Sequence, residues 1–108
     1  MKIYLDDFRT PLGKWKIIRN FKEFQLFIHE LKGGPLEISF DYELEDEYTG
    51  YDCAMYMTIH GIIPDKCWVH SAHKEGGDKI LALLTDWYKL NNKKFRPCRT
   101  AWPEFEFQ

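Results

Sequence analysis

Asp6, Asp7, Asp41, Glu43, His70 and Ser71 are the residues of this chain best suited to chemistry. They fall in three short segments: Leu5-Asp6-Asp7-Phe8-Arg9-Thr10-Pro11, Phe40-Asp41-Tyr42-Glu43-Leu44 and Val69-His70-Ser71-Ala72-His73. Each segment begins apolar and switches abruptly to acidic or polar residues. Neighbouring carboxylates can share a divalent cation, because hard cations prefer oxygen ligands. A histidine beside them suits proton transfer near neutral pH, its unperturbed pKa being about 6.5. Gathering carboxylates does nothing for stability, since they repel unless a cation, a proton or a ligand offsets them. The pattern reads as a site.

A second set of residues suits an anion. Lys74 and Gly76-Gly77 precede an expected helix, whose first N–H groups lack intrahelical partners and whose glycines allow close approach. Arg9 and Ser71 add a guanidinium and a hydroxyl. Acidic residues facing such donors can hold a metal and a phosphate together. Thr49-Gly50 closes the acidic loop after Asp41, with Gly50 supplying a tight turn and Thr49 a hydroxyl. His70-x-x-His73 lacks the helical spacing that aligns a metal-binding pair.

The elements that must position these residues alternate between strand and helix. Ile3–Leu5 reads as a central strand, followed by a loop with Pro11 and Gly13. Trp15–Arg19 reads as a second strand beside the first. The gap between them is shorter than the dozen or so residues of a helical crossover, so an edge strand beside the first is expected, with its orientation, parallel or antiparallel, left open. Asn20 caps a helix carrying Phe21, Phe24, Phe27, Ile28 and Leu31, with Glu23 completing a capping-box pattern, and Gly33-Gly34-Pro35 ends it. Leu36–Phe40 alternates as a strand. Tyr51, Ala54, Met55, Thr58 and Ile59 form the next helical stripe. Cys67–His70 is a strand, and Gly76-Gly77 leads into a helix with Ile80, Leu81, Leu84, Trp87 and Tyr88 on one face. Phe95–Cys98 reads as the last strand, and the 99–108 tail, with Trp102, Phe105 and Phe107, is expected to pack on the domain. The class is α/β with one main sheet. In an open α/β sheet the carboxyl ends of the strands share one edge, which brings the three segments together.

Composition narrows the classes. The 108 residues fit a single domain spanning 1–108, and 44% hydrophobic residues give it a core, in which the 17% aromatic residues must take a large part. A net charge of -2 argues against an extended nucleic-acid surface. Cys53, Cys67 and Cys98 form no C-x-x-C pair, so a reducing, cytoplasmic location is expected. The amino terminus reads as a strand rather than a signal peptide, and no run approaches the roughly 20 apolar residues of a membrane span.

Several of these pieces together resemble a known family. Leu5-Asp6-Asp7-x-Arg9-x-Pro11, the strand ending in Phe40-Asp41, Thr49-Gly50-Tyr51-Asp52, and Val69-His70-Ser71-Ala72 followed by Gly76 are similar to the cyclic-phosphate-processing receiver-like domains, derived from response-regulator receivers. The likeness runs from Ile3 to Ile80. It implies a receiver-like (flavodoxin-like) three-layer domain with a central, mostly parallel sheet of about five strands, its first crossover helix missing or degenerate. By the same resemblance Asp6 and Asp7 match a cation-holding acidic pair, Asp41 a phospho-accepting position and Ser71 a hydroxyl. Arg96-Pro97 stands where receivers carry a Lys-Pro pair. Two places depart: Tyr42 and Glu43 replace a His and an Asp, and His73 replaces a common Asn.

The function expected from residues and resemblance is a metal-dependent phosphoesterase that opens a cyclic phosphate of a nucleotide or nucleotide-derived small molecule. Asp6, Asp7 and Asp41 would hold Mg²⁺ or Mn²⁺. His70, with Asp41 and Asp7, would carry out the chemistry, and His70 would move the proton. Arg9, Ser71, Lys74, Gly76 and Gly77 would bind phosphate, with Glu43, His73 and Thr49 as additional candidates. The alternatives are a non-enzymatic module that sequesters such a ligand and a receiver-like switch phosphorylated on Asp41.

Overall fold

The alternating pattern resolves into five parallel strands and three helices among the described residues of a computed structural model, which are 1–44 and 46–100. In chain order they are β1 (Lys2–Leu5), β2 (Lys16–Ile18), α1 (Phe21–Glu30), β3 (Glu37–Phe40), α2 (Gly50–Ile59), β4 (Lys66–Val69), α3 (Lys74–Leu90) and β5 (Cys98–Arg99). The strand order is β2-β1-β3-β4-β5, that of a flavodoxin-like sheet. The aromatic tail expected to pack on the domain lies outside the described residues beyond Thr100.

The second strand sits at the edge beside β1, as expected, and runs parallel to it, in register Ile3↔Lys16 to Leu5↔Ile18. A parallel pair without a helical crossover is possible because these strands are short. Returning past a four-residue strand takes about 13 Å at 3.3 Å per residue. The intervening residues 6–15 span that without a helix, turning at Gly13 with φ +94°. The first crossover is therefore an extended loop.

The remaining crossovers all step in one direction across the sheet. Right-handed connections then place α1, α2 and α3 on the same face. Strand residues alternate accordingly. Ile3, Leu5, Ile18, Ile38, Phe40, Cys67 and Val69 join Phe24, Phe27, Ala54, Met57, Ile80 and Leu84 in one core. The other face presents Ile17, Tyr4, Ser39 and Trp68 in one transverse row. Aromatic edges pave it: Trp15 lies 5.8 Å from Tyr4 and 6.4 Å from Trp68, whose ring meets Phe95 at 6.2 Å.

Three local expectations need correction. The buried side of α2 is Gly50, Cys53, Ala54 and Met57, while Ile59 is exposed. Helix α2 packs between α1 and α3 and is apolar nearly all round, so spacing alone does not phase it. Helix α3 begins at Lys74, which places Gly76 and Gly77 inside its first turn rather than before it. Strand β5 begins at Cys98, because Pro97 has no N–H to give the ladder. Arg96-Pro97 thus precedes β5 at the end remote from the other strands' carboxyl termini, and among the described residues Arg96 reaches only the Lys94 carbonyl, at 3.5 Å.

Candidate functional site

The parallel ladder continues one residue beyond the strands. Asp6 N–H donates to the Ile18 carbonyl, Asp41 N–H to Leu5, His70 N–H to Phe40 and Thr100 N–H to Val69. Alternation therefore turns Asp6, Asp41 and His70 toward the face of Tyr4, Ser39 and Trp68, the face without a helix among the described residues. The loop that replaces the first crossover helix carries Arg9 to the same place. Sheet register and an unusually short crossover thus assemble the site together.

The side chains form one chain of contacts. His70 Nδ1 lies 2.7 Å from Ser39 Oγ and its Nε2 3.1 Å from Asp6 Oδ2. Its ring stacks on Tyr4, with centroids 4.2 Å apart and planes within 7°. Asp6 Oδ1 accepts the N–H groups of Phe8 (3.0 Å) and Arg9 (2.9 Å), and Asp6 Oδ2 also faces Arg9 Nε at 3.2 Å. Arg9 Nη2 continues to Asp41 Oδ2 at 3.4 Å, and Asp41 Oδ1 accepts the Tyr42 N–H at 2.8 Å. Ser71 hydrogen-bonds Asp41, and its Oγ accepts the His73 N–H at 3.0 Å. Arg19 ties the loop down by donating to the carbonyls of Asp6 (3.2 Å) and Arg9 (2.8 Å) and to Thr10 Oγ1 (3.2 Å).

Electrostatics separates the carboxylates. Burial works against the Asp6 charge, but hydrogen bonds from His70 and the Arg9 and Phe8 amides, with the Arg9 charge, hold its pKa below the usual carboxylate value. Asp41 goes the other way: burial and then the charge of Asp6 push it up to about 6, against the opposing help of Ser71, Arg9 and the Tyr42 amide. Asp7 is raised by burial and by Asp6, and its Oδ1 is a buried acceptor with no donor among the described residues. Burial lowers the pKa of His70 despite its bond to Asp6. His70 is thus a neutral ring that donates from Nε2 to the Asp6 carboxylate and accepts the Ser39 hydroxyl at Nδ1.

The structure therefore brings Asp6, Asp41, His70, Ser71 and Arg9 together, with Asp7 alongside. His70, expected at the reacting atoms, lies behind Asp6 with its side chain fully buried and both ring nitrogens engaged. It positions Asp6. Thr49 caps α2 in a reciprocal box with Asp52, and His73 caps α3, its Nδ1 accepting the Gly76 N–H at 2.9 Å. An Asn at position 73 would be a favoured N-cap too, so His73 keeps the cap in another residue type. Glu43 is exposed, although Asp7 feels its charge. Lys74 is exposed and pairs with Asp78 at 3.2 Å.

Gly76 and Gly77, expected to cradle phosphate, serve close packing. A Cβ at Gly76 would come within 2.2 Å of the Tyr42 ring, and one at Gly77 within 2.2 Å of Arg99 Nη1. Arg99 uses that space to donate to the Ser71 carbonyl at 2.8 Å, bracing the loop after β4. Gly77→Ala is expected to cost about 1 kcal/mol, because Arg99 must release a hydrogen bond. With Arg99→Ala already present, the same change should be neutral or stabilising, since alanine favours helix by up to about 1 kcal/mol. Urea titration of the two single variants and the double variant measures this; equal costs in both backgrounds would refute the packing argument.

Sequence reasoning missed Ser39, Tyr4, Arg19 and Arg99. Ser39 carried a signal, as a polar residue within an apolar strand. Arg19 and Arg99 act by long-range bonds to backbone carbonyls, which no local pattern announces. A cavity of about 580 Å³ lined by Phe27, Leu31, Leu36 and Ile62 opens at the amino edge of the sheet, opposite this site.

The donor set fits a divalent cation. Asp6, Asp41 and His70 each offer a ligand atom, all within 4.8 Å of one another. Asp7 Oδ1, a buried oxygen with no hydrogen-bond donor among the described residues, is the kind of acceptor a hard cation would satisfy. Because His70 Nε2 is turned to Asp6, the oxygens of Asp6 and Asp41 are the better donors, and Asp7 stands outside that 4.8 Å cluster.

The parallel sheet of this order, with an acidic cluster at its carboxyl edge, defines a receiver-like α/β domain. The chain belongs to the cyclic-phosphate processing receiver domain family, whose match covers residues 1–86. That membership links it to the processing of cyclic phosphates. No curated protein and no solved structure matches it. No helix among the described residues is long and apolar enough to cross a membrane.

Proposed function

We propose that the chain hydrolyses a cyclic phosphate on a nucleotide or nucleotide-derived small molecule, opening the ring to a linear phosphomonoester. The observation that carries this reading is the cluster at the sheet edge, where ligand atoms of Asp6, Asp41 and His70 lie within 4.8 Å of one another with the Arg9 guanidinium beside the two carboxylates. Burial works against charge on both carboxylates, and a cation or a phosphate-bound partner offsets that cost.

Water adds to phosphorus as the ring P–O bond breaks, and its proton passes through solvent to the leaving oxygen. Arg9, at the mouth of the site, binds the phosphoryl oxygens, and Ser71 adds a hydroxyl there. His70 and Ser39 keep Asp6 fixed and ionised. Asp6, Asp7 and Asp41 are the residues that would hold Mg²⁺ or Mn²⁺, and such an ion supplies charge stabilisation to the phosphoryl group.

Tyr42, standing where the resemblance places a His, favours a second reading in which the same site binds the ligand without turnover. Phosphorus NMR of a panel of cyclic-phosphate nucleotides with Mn²⁺-free and Mg²⁺-loaded protein separates the two. Linear product that disappears on chelation is expected. Shifted or broadened signals without product would instead establish the binding module, and an unchanged panel would remove both.

A further inference from the structure

We infer that Arg9 is an exchangeable counter-ion, which occupies the place of the divalent cation until that cation arrives and is then released to the phosphate. This rests on the cation-dependent reading above and adds a coupling between its two ligands.

The geometry leaves no room for both charges. Asp6 Oδ2 and Asp41 Oδ2, which face the guanidinium at 3.2 and 3.4 Å, are the oxygens a bridging cation would need. A small divalent ion requires oxygens at about 2.0–2.1 Å for Mg²⁺, in a near-octahedral shell that tolerates little intrusion. It would also repel a guanidinium bonded to the same atoms. Asp6 has its other oxygen filled by two backbone amides, so it has no spare position to offer. Cation binding at this pair therefore expels the Arg9 side chain.

The loop is built so that only the side chain moves. The Arg9 N–H is held by Asp6 Oδ1 and the Arg9 carbonyl by Arg19 Nη1. The Arg9 side chain is 16% exposed, which places it at the mouth rather than in the floor. The Phe8 ring, 72% exposed, lies 5.3 Å from the guanidinium carbon and offers a face along which a released guanidinium can lie. A cation on the carboxylates thus presents Arg9 to an incoming phosphate, and each ligand strengthens the other by the same factor.

Calorimetric titration of Mn²⁺ into the full chain, with and without inorganic phosphate at fixed ionic strength, tests the exchange. Arg9→Gln should bind Mn²⁺ at least about fivefold more tightly than the unaltered protein, and its enhancement by phosphate should shrink. Arg9→Lys keeps the charge but cannot bridge two carboxylates as a planar fork does, so it too should bind Mn²⁺ more tightly. If Arg9→Lys matches the unaltered protein while Arg9→Gln is tighter, net charge alone explains the effect and the exchange is overturned. Equal affinities in all three proteins overturn the exchange and leave the cation site standing. Absence of Mn²⁺ binding in all three overturns both. The unaltered protein gives an independent reading, free of any folding defect in a variant. Its Arg9 Nε–H resonance should move as Mg²⁺ saturates the site, and an unmoved resonance with the cation bound refutes the release.

Discussion

Gly50→Ala should destabilise the protein by about 3 kcal/mol or more, at the upper end of what overpacking a tight contact costs. For a domain of this size that lowers Tm by on the order of 15 °C. A Cβ at Gly50 would stand 1.7 Å from the Asp41 carbonyl oxygen and 2.8 Å from its carbonyl carbon. Both atoms are backbone, so no side chain can swing aside. Either the start of α2 retreats, losing the 2.7 Å bond from Gly50 N–H to the Tyr42 carbonyl, or Asp41 itself is displaced. The residue expected to give a tight turn is instead the first residue of α2, and its missing side chain lets that helix press on the site. Urea and thermal unfolding read the loss. An unchanged midpoint would mean that the helix start and the Asp41 peptide are not in contact.

That misreading of Gly50 shows where sequence alone stops. A glycine serves a turn, a phosphate or a close approach with the same residue type, and Gly50, Gly76 and Gly77 all proved to be close approaches. Strands β1, β3 and β4 were legible because each is an apolar run that ends abruptly at Asp6, Asp41 or His70, and those residues do meet. Helix α1 was legible because Asn20 accepts the Glu23 N–H, as the capping pattern requires. Depth within the site was not. Segment ends predict which residues converge at an edge, whereas the stacking of His70 on Tyr4 beneath Asp6 depends on sheet register and face. The direction of β2 stayed open for a related reason: crossover length decides it only together with the length of the strand to be passed.

Asp41→Asn is expected to separate stability from function. On the proposed reading Asp41 is a cation ligand, and its loss should lower turnover by on the order of 10²-fold or more. The variant should nevertheless be more stable at pH 8. Moving a carboxyl pKa from 3.8 to about 6 corresponds to about 2–3 kcal/mol of disfavoured charge in the folded state. Part is offset in the variant, because an amide oxygen can keep the Tyr42 N–H but is a weaker partner for Arg9, leaving a net gain of about 1–2 kcal/mol. The pH dependence follows from the direction of each shift. Between about pH 4 and 6 the folded protein binds the Asp41 proton and the unfolded chain releases it, so the unaltered protein gains stability on acidification through that window. Asp41→Asn lacks this gain. Asp6 is shifted the opposite way, so below its unfolded value both proteins lose stability as it protonates. Urea midpoints at pH 8 and pH 5 test the argument. A variant less stable than the parent at pH 8 would make the Asp41 charge a structural partner of Arg9 and refute the burial penalty on that carboxylate.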